Sequence, residues 1–203
     1  EKGLKNQLEI TYNSNKKEIY NSSNNIKINL GEHIDILSGF AFKSKYFNKE
    51  SLGIPLIRIR DIESCSVETF YSSEYDSRYI IKDGDMIVGM DGDFIMNIWN
   101  GPKALLNQRV LKIETVEDKN QELFKYLKHF LQRVLDRIHR GVGATTVKHL
   151  AVSDLKKTKL PIPSNGIEKV NKKLDEIVWN INNSSVKINN SQSLQKSLIN
   201  QIF

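Results

Sequence analysis

IEKVNKKLDEIVWNINNSSVKINNSQSLQKSLINQI, residues 167–202, is the stretch that decides the architecture. Ile167, Val170, Leu174, Ile177, Ile181, Ser184, Ile188, Ser191, Gln195, Leu198 and Ile202 fall at alternating steps of three and four, the heptad seam of a coiled coil. The run covers about five heptads, or ~50 Å of helix at a rise of 1.5 Å per residue. Its ends are apolar, while Ser184, Ser191 and Gln195 dilute the middle, where Leu194 can carry the seam. The flanks are polar, so a helix of this length is not expected to lie along its own small domain. It needs another helix. A second copy of the chain, paired through Ile167, Val170, Leu174, Ile177, Ile181, Ile188, Leu198 and Ile202, is the expected partner, and a helix of a different chain is the alternative.

Upstream of the seam, Leu160-Pro161-Ile162-Pro163 is an extended entry, and Ser153 is read as the N-cap of a short turn across Leu155. Before it, Leu123, Phe124, Leu127, Phe130, Leu131, Val134, Leu135 and Ile138 mark one apolar face of a helix over 120–140. Lys125, Lys128, Arg133, Arg137 and Arg140 occupy the remainder, and Gly141-Val142-Gly143 ends the helix before a loop to Leu150. From Leu30 to about Ile113 the signals are those of short strands. Ile54 to Arg60 alternates apolar and basic residues, the period of a half-buried strand, and Leu106 to Ile113 reads as another. Lys82-Asp83-Gly84-Asp85 between two apolar runs predicts a hairpin, and Asp91-Gly92-Asp93 a further turn. Short strands punctuated in this way predict a curved β-sheet core with packed helices, and so an α+β fold followed by the long coiled-coil helix.

Residues 1–28 are rich in Asn and Lys with no sustained period, and read as a polar N-terminal tail or linker. One globular domain is then expected over 29–163 and a coiled-coil dimerisation and spacer helix over 164–203. The chain opens at Glu1 instead of Met, which suggests a trimmed end or a module cut from something longer. No apolar run approaches the ~18 residues of a membrane span. The single cysteine, Cys65, excludes an internal disulfide or a multi-cysteine zinc site and suits a reducing cytoplasm. Net charge is +6, unevenly placed. Residues 30–119 carry 11 cations against 15 carboxylates, whereas residues 120–160 carry nine against three. A basic stretch beside an acidic domain is the footprint of a polyanion-binding face, or simply of a solvated basic helix.

Several segments in order resemble one family. Asn29-Leu30-Gly31-Glu32-His33-Ile34 and Ser38-Gly39-Phe40-Ala41-Phe42-Lys43-Ser44 are similar to the opening of a target-recognition domain in type I restriction–modification specificity subunits. Gly53 to Ile62, Gly84-Asp85-Met86-Ile87-Val88, Leu106 to Val110, Gly143 to Leu150 and Leu160 to Pro163 continue the pattern across residues 29–203. The chain departs from it at Ser164-Asn165-Gly166, where the family usually has a second proline and a glutamine that starts the helix. Complete subunits carry two recognition domains and two long helices. The resemblance therefore implies a half-subunit that reads one half of a bipartite site in double-stranded DNA and docks methyltransferase subunits, with restriction subunits as further partners. The alternatives are the C-terminal recognition module of a single-chain methylase-endonuclease, or a coiled-coil assembly adaptor without a DNA role.

The sequence carries no catalytic motif of the expected kinds. It lacks Asn-Pro-Pro-Tyr or Asp-Pro-Pro-Tyr, a glycine-rich cofactor fingerprint and a phosphate loop, so neither enzymatic activity nor a cofactor is expected. Asp83, Asp85, Asp91 and Asp93 suit turns around Gly84 and Gly92 better than a metal, and His33, His129, His139 and His149 show no ligand spacing. DNA reading needs forked donors and amides at base edges, with cations at phosphates. Asn107, Gln108 and Arg109 supply both types, although Arg109 could equally brace an acidic neighbour. Arg58 and Arg60 form either a basic stripe or exposed solubilising charge, Lys43 and Lys45 suit phosphates, and Trp99 could wedge or stack, although an aromatic here is more often core. Arg140, Thr145, Thr146 and Lys148, after the basic helix, are the further phosphate candidates.

Overall fold

The structure is a computed structural model that describes residues 2–116, 121–141 and 148–202, with side chains as far as residue 198. The chain opens with α1 (Lys2–Asn21), β1 (Asn25–Asn29), β2 (Ile34–Ser38), β3 (Phe47–Asn48), β4 (Ile54–Ile57) and β5 (Phe70–Tyr71). It continues through β6 (Ile80–Ile81), β7 (Met86–Gly89), β8 (Met96–Ile98), β9 (Ala104–Leu106) and β10 (Val110–Thr115). It closes with α2 (Gln121–Gly141), α3 (Val152–Lys157), β11 (Lys159–Pro163) and α4 (Glu168–Ile202). Two compact units result, one of residues 27–160 and one of residues 1–26 with 161–203.

The larger unit holds two sheets. β2-β10-β7-β8 is antiparallel throughout, with Ile113 of β10 opposite Ile36 on one side and Met86 on the other. β3-β5-β4-β9-β6 contains one parallel pair, β4 with β9, which places Leu56 opposite Leu105 and Ile57 opposite Leu106. Leu56, Ile57, Ile62, Ile81, Ile87, Trp99, Leu105 and Leu106 are fully buried in one apolar cluster. Burying a side chain of this size contributes roughly 1.5–3 kcal/mol. α2 buries Leu123, Leu127, Phe130, Leu131, Val134 and Leu135, as its period predicts, and adds Tyr126 and His129. The α+β class and the long C-terminal helix agree with the sequence reading.

Four local expectations change. The Lys82–Asp85 turn forms, with Asp85 N donating to Lys82 O (3.1 Å) and Gly84 at φ +88°. It closes no hairpin, because β6 pairs with β9 while β7 pairs with β10 and β8. The strand expected over 54–60 stops at Ile57, where the Asp61 carboxylate accepts the Arg58 N–H (2.8 Å) and a turn of 3-10 helix follows. The strand expected from Leu106 to Ile113 is broken by a turn in which Val110 N donates to Asn107 O (2.9 Å). Ala151, not Ser153, precedes α3, and Ser153 lies inside it.

The largest correction concerns residues 1–28. They are not a tail: α1 runs antiparallel to α4, with Lys173 Nζ donating to Asn15 Oδ1 (2.7 Å) and Tyr12 beside Asp175. Lys5, Leu8, Tyr12, Asn15 and Ile19 are half-buried at steps of three and four. Polar Lys5 and Asn15 interrupt that seam, which hides it in the sequence. The helix that α4 requires is therefore present in the same chain. Leu174, Asn171 and Ser184 are buried, and Ile167, Val170, Ile177, Ile181 and Ile188 half-buried. From 189 to 198 every side chain is exposed, Leu194 and Leu198 among them. The lengths account for this: α1 extends about 30 Å and α4 about 52 Å. Among the described residues no helix is long and apolar enough to cross a membrane.

Candidate nucleic-acid interface

Because β4 and β9 are parallel and in register at Ile57 and Leu106, their next residues, Arg58 and Asn107, leave the sheet together. Arg58 enters the 3-10 turn Ile59–Asp61, and Asn107-Gln108-Arg109 turns the chain into β10. The two turns enclose a cleft of about 420 Å³ lined by Arg58, Ile59, Arg60, Asn107, Gln108, Arg109 and Val110. Five of the residues singled out for DNA reading thus share one surface, although they lie some fifty positions apart in the chain. Among the described residues its lining holds three arginines, one asparagine and one glutamine, and no acidic residue.

The floor beneath the second turn is set by a glycine. Gly39 N donates to Val110 O (3.0 Å), and Phe40 N to Leu106 O (2.9 Å). A Cβ on Gly39 would lie 2.0 Å from the Asn107 carbonyl oxygen, so no side chain fits between the Ser38-Gly39-Phe40 backbone and the turn.

Carboxylates stand behind the cleft and hold its cations. Asp61 is buried; its Oδ1 is 3.6 Å from Arg60 Nε, and its Oδ2 accepts the Arg58 N–H. Burial raises the Asp61 carboxyl above the usual range, and the Arg58 N–H and the guanidinium groups of Arg60 and Arg58 offset only part of that. Asp91 Oδ2 lies 3.6 Å from Arg109 Nε, and its Oδ1 lies 2.7 Å from His149 Nδ1. Arg109 therefore does brace an acidic neighbour, yet its side chain remains 54% exposed in the cleft. Asp91 and His149 are neighbours of Arg109 that the sequence offers only as a turn residue and an isolated histidine. Only their spatial pairing, across an antiparallel bridge, reveals them.

The remaining candidates fall elsewhere. Lys43 and Lys45 are exposed at the 3-10 turn before β3, with Lys45 Nζ 4.8 Å from the centre of the Tyr46 ring, and they do not line the cleft. Trp99 is corrected to a core residue: it is fully buried, and its Nε1 donates to Pro102 O (2.8 Å), so no face remains for a base. Arg140 is exposed in the last turn of α2. Lys148 Nζ donates to His139 O (2.9 Å), a cation on a helix C-terminal carbonyl, which gives it a structural role beside any phosphate contact. Thr145 and Thr146 lie outside the described residues. Among the described residues no group of three or more His, Cys, Asp or Glu side chains could hold a metal ion. Asp85 instead accepts the Lys82 N–H (2.9 Å) and pairs with Lys112 (3.2 Å).

Residues 11–196 match the model of the type I restriction modification DNA specificity domain. The specificity subunit of the type I restriction enzyme EcoBI from Escherichia coli is 38% identical over 189 residues, which is 88% of this chain and 40% of that subunit. Among solved structures, a chain from a description of type I R-M complex assembly and conformational transition superimposes with a TM-score of 0.67 at 15% identity. That match covers 97% of this chain and 50% of the other. The HsdS subunit of Thermoanaerobacter tengcongensis gives a TM-score of 0.60 at 15% identity, over 88% of this chain and 45% of that one. At such identity the structural likeness is one of fold, and the chain spans half or less of each of these relatives. The family-model match covers most of the chain, and on that ground the chain belongs to the type I restriction modification DNA specificity domain family.

Proposed function

We propose that this chain is a sequence-specific DNA-binding module of a type I restriction–modification system, reading one half of a bipartite target through the cleft at the ends of β4 and β9. The observation that carries this reading is the cleft lining: Arg58, Arg60 and Arg109 with Asn107 and Gln108, and no carboxylate among them. Forked guanidinium groups suit the O6/N7 edge of guanine, and amides suit the N6/N7 edge of adenine. Exposed Arg140 and the lysines outside the cleft are suited to phosphates, which position a duplex without reading it. The recognition function is assigned to residues within 29–163, and the docking function to the helices.

In this reading the chain performs no chemistry itself, and methyl transfer and cleavage belong to the subunits it docks. The exposed end of α4, with Leu194 and Leu198, is the proposed seat for a second copy of the chain or for those subunits. Two copies related by a two-fold axis would read an inverted repeat. Methylation mapping of host DNA, with and without this gene and in the presence of its native methyltransferase subunits, tests the reading. A new methylated bipartite motif that appears only with the gene is the expected result. Identical maps would overturn it.

A further inference from the structure

Asp91 lies between two residues from distant parts of the larger unit. Met90 N donates to Arg109 O (2.9 Å), Leu150 N donates to Met90 O (2.7 Å), and Gly92 N donates to Lys148 O (3.1 Å). Three extended backbones thus run side by side, with the Asp91 carboxylate between Arg109 and His149. An ionised carboxylate only accepts, so the 2.7 Å contact fixes the proton of His149 on Nδ1. Arg109 Nη1, 3.5 Å from that same Nδ1, is then a neighbour and not a hydrogen-bonding partner, since both atoms are donors. His149 Nε2 has no partner among the described residues, and the His149 side chain is 45% exposed.

An arginine on a flexible stem loses rotamer freedom when it grips a base, and a fork held beforehand loses less. Asp91 Oδ2 pairs with Arg109 at Nε (3.6 Å), the stem side of the guanidinium, and Nη1 lies beside His149, so the guanidinium is held at one edge. We propose that Asp91 is a positioning residue for base reading. Its carboxylate holds the inner edges of Arg109 and His149, so that the Arg109 Nη pair and His149 Nε2 meet DNA as one unit, with His149 as an additional DNA-contacting residue. The inference rests on the DNA-reading function proposed above.

The sign of two effects separates this role from a merely structural one. Asp91 is a negative charge close to the phosphates, so removing it leaves affinity for random duplex unchanged or raises it. Removing it also unfixes the fork, so preference for the target falls. A misfolded chain would lose both.

The test begins with the full chain and a duplex library randomised over one helical turn, from which retained sequences define a consensus. Affinities for the consensus and for random duplex are then compared. Asp91→Ala is expected to lower the consensus-to-random ratio roughly fivefold or more, the loss that accompanies a weakened bidentate base contact. In an Arg109→Ala, His149→Ala background, the same change should alter the ratio by less than about twofold, because the groups it positions are gone. Asp91→Asn, which keeps an acceptor for His149 Nδ1 but loses the charge facing Arg109, is the second variant, and an intermediate ratio is expected. An unchanged ratio in both Asp91 variants, or a full further loss in the doubly substituted background, overturns the positioning role. If the wild-type chain retains no consensus at all, the DNA-reading function itself fails, and the positioning role falls with it.

Discussion

Ile57 of β4 lies opposite Leu106 of β9 in parallel register. Parallel neighbours end at the same level, so the residues that follow them emerge side by side even though 49 positions separate them in the chain. Both Ile57 and Leu106 are fully buried, which ties the placement of Arg58 and Asn107 to the rigidity of the core. A surface built on strand ends in this way keeps its framework fixed while the turns above it can vary.

Gly39 is expected to be intolerant of any side chain. A Cβ there would lie 2.0 Å from the Asn107 carbonyl oxygen, and backbone cannot yield as a side chain can. Gly39→Ala should cost roughly 1–3 kcal/mol, the usual range for overpacking. It should also weaken target preference by displacing the Asn107–Arg109 turn. Urea midpoints and duplex affinities measured on the same preparation check this, and a neutral substitution would contradict the close approach.

Binding to phosphates shows itself in salt dependence. Neutralising Arg140 or Lys148 should weaken target and random duplex alike and flatten the log–log salt slope by roughly 0.9 for each phosphate no longer neutralised. The two should differ in stability. Lys148 caps the α2 C-terminus through His139 O, so Lys148→Ala should also lower the melting temperature, whereas exposed Arg140→Ala should not. Unchanged slopes for both would place the phosphate-binding surface elsewhere.

The α1–α4 pair and the end of α4 should respond differently to substitution. Leu174 is fully buried, and Leu174→Ala should cost roughly 2–5 kcal/mol. Leu194 and Leu198 are 65% and 52% exposed, so Leu194→Asp with Leu198→Asp should leave stability nearly unchanged while abolishing association with a second copy or with other subunits. Light scattering beside thermal melts separates the two effects. A substituted α4 end that associates like the wild type would remove the docking role.

The residue types that form the cleft were legible in the sequence because Arg, Asn and Gln advertise their hydrogen-bonding geometry wherever they lie. The position of the cleft was not legible, since it depends on the β4–β9 pairing, a non-local choice that no local pattern encodes. The same limit explains the Lys82–Asp85 turn, whose chemistry is local and whose strand partners are not. α1 escaped notice because Lys5 and Asn15 occupy seam positions, and polar residues there erase the period on which sequence reading relies. Trp99 shows the converse: between Asn97 and Asn100 the sequence leaves a stacking role and a core position both open, and the structure buries it with its N–H on Pro102 O.

Tyr12 provides a pH signature of the helix pair. Burial first, and the Asp175 carboxylate second, push its hydroxyl from 10.0 up to about 12. The folded chain therefore holds this proton to higher pH than the unfolded chain does. The associated stability is fully present below pH 10 and is lost as pH rises from there through about 12. Tyr12→Phe should show a shallower alkaline loss of stability over that window, as followed by denaturant midpoints. Parallel curves would contradict the packing of Tyr12 between α1 and α4.

In the proposed function the cleft, and not the basic surface as a whole, chooses the sequence. Gln108→Ala and Arg60→Ala should each narrow the affinity gap between target and random duplex by roughly 1–3 kcal/mol, the value of one bidentate hold on a base. Lys43→Ala and Lys45→Ala, outside the cleft, should leave that gap intact while lowering both affinities together. Measuring the four gaps at a single salt concentration decides the matter. Loss confined to the cleft variants is the result this account expects, and a gap unchanged at Gln108 and Arg60 but narrowed at Lys43 and Lys45 would contradict it.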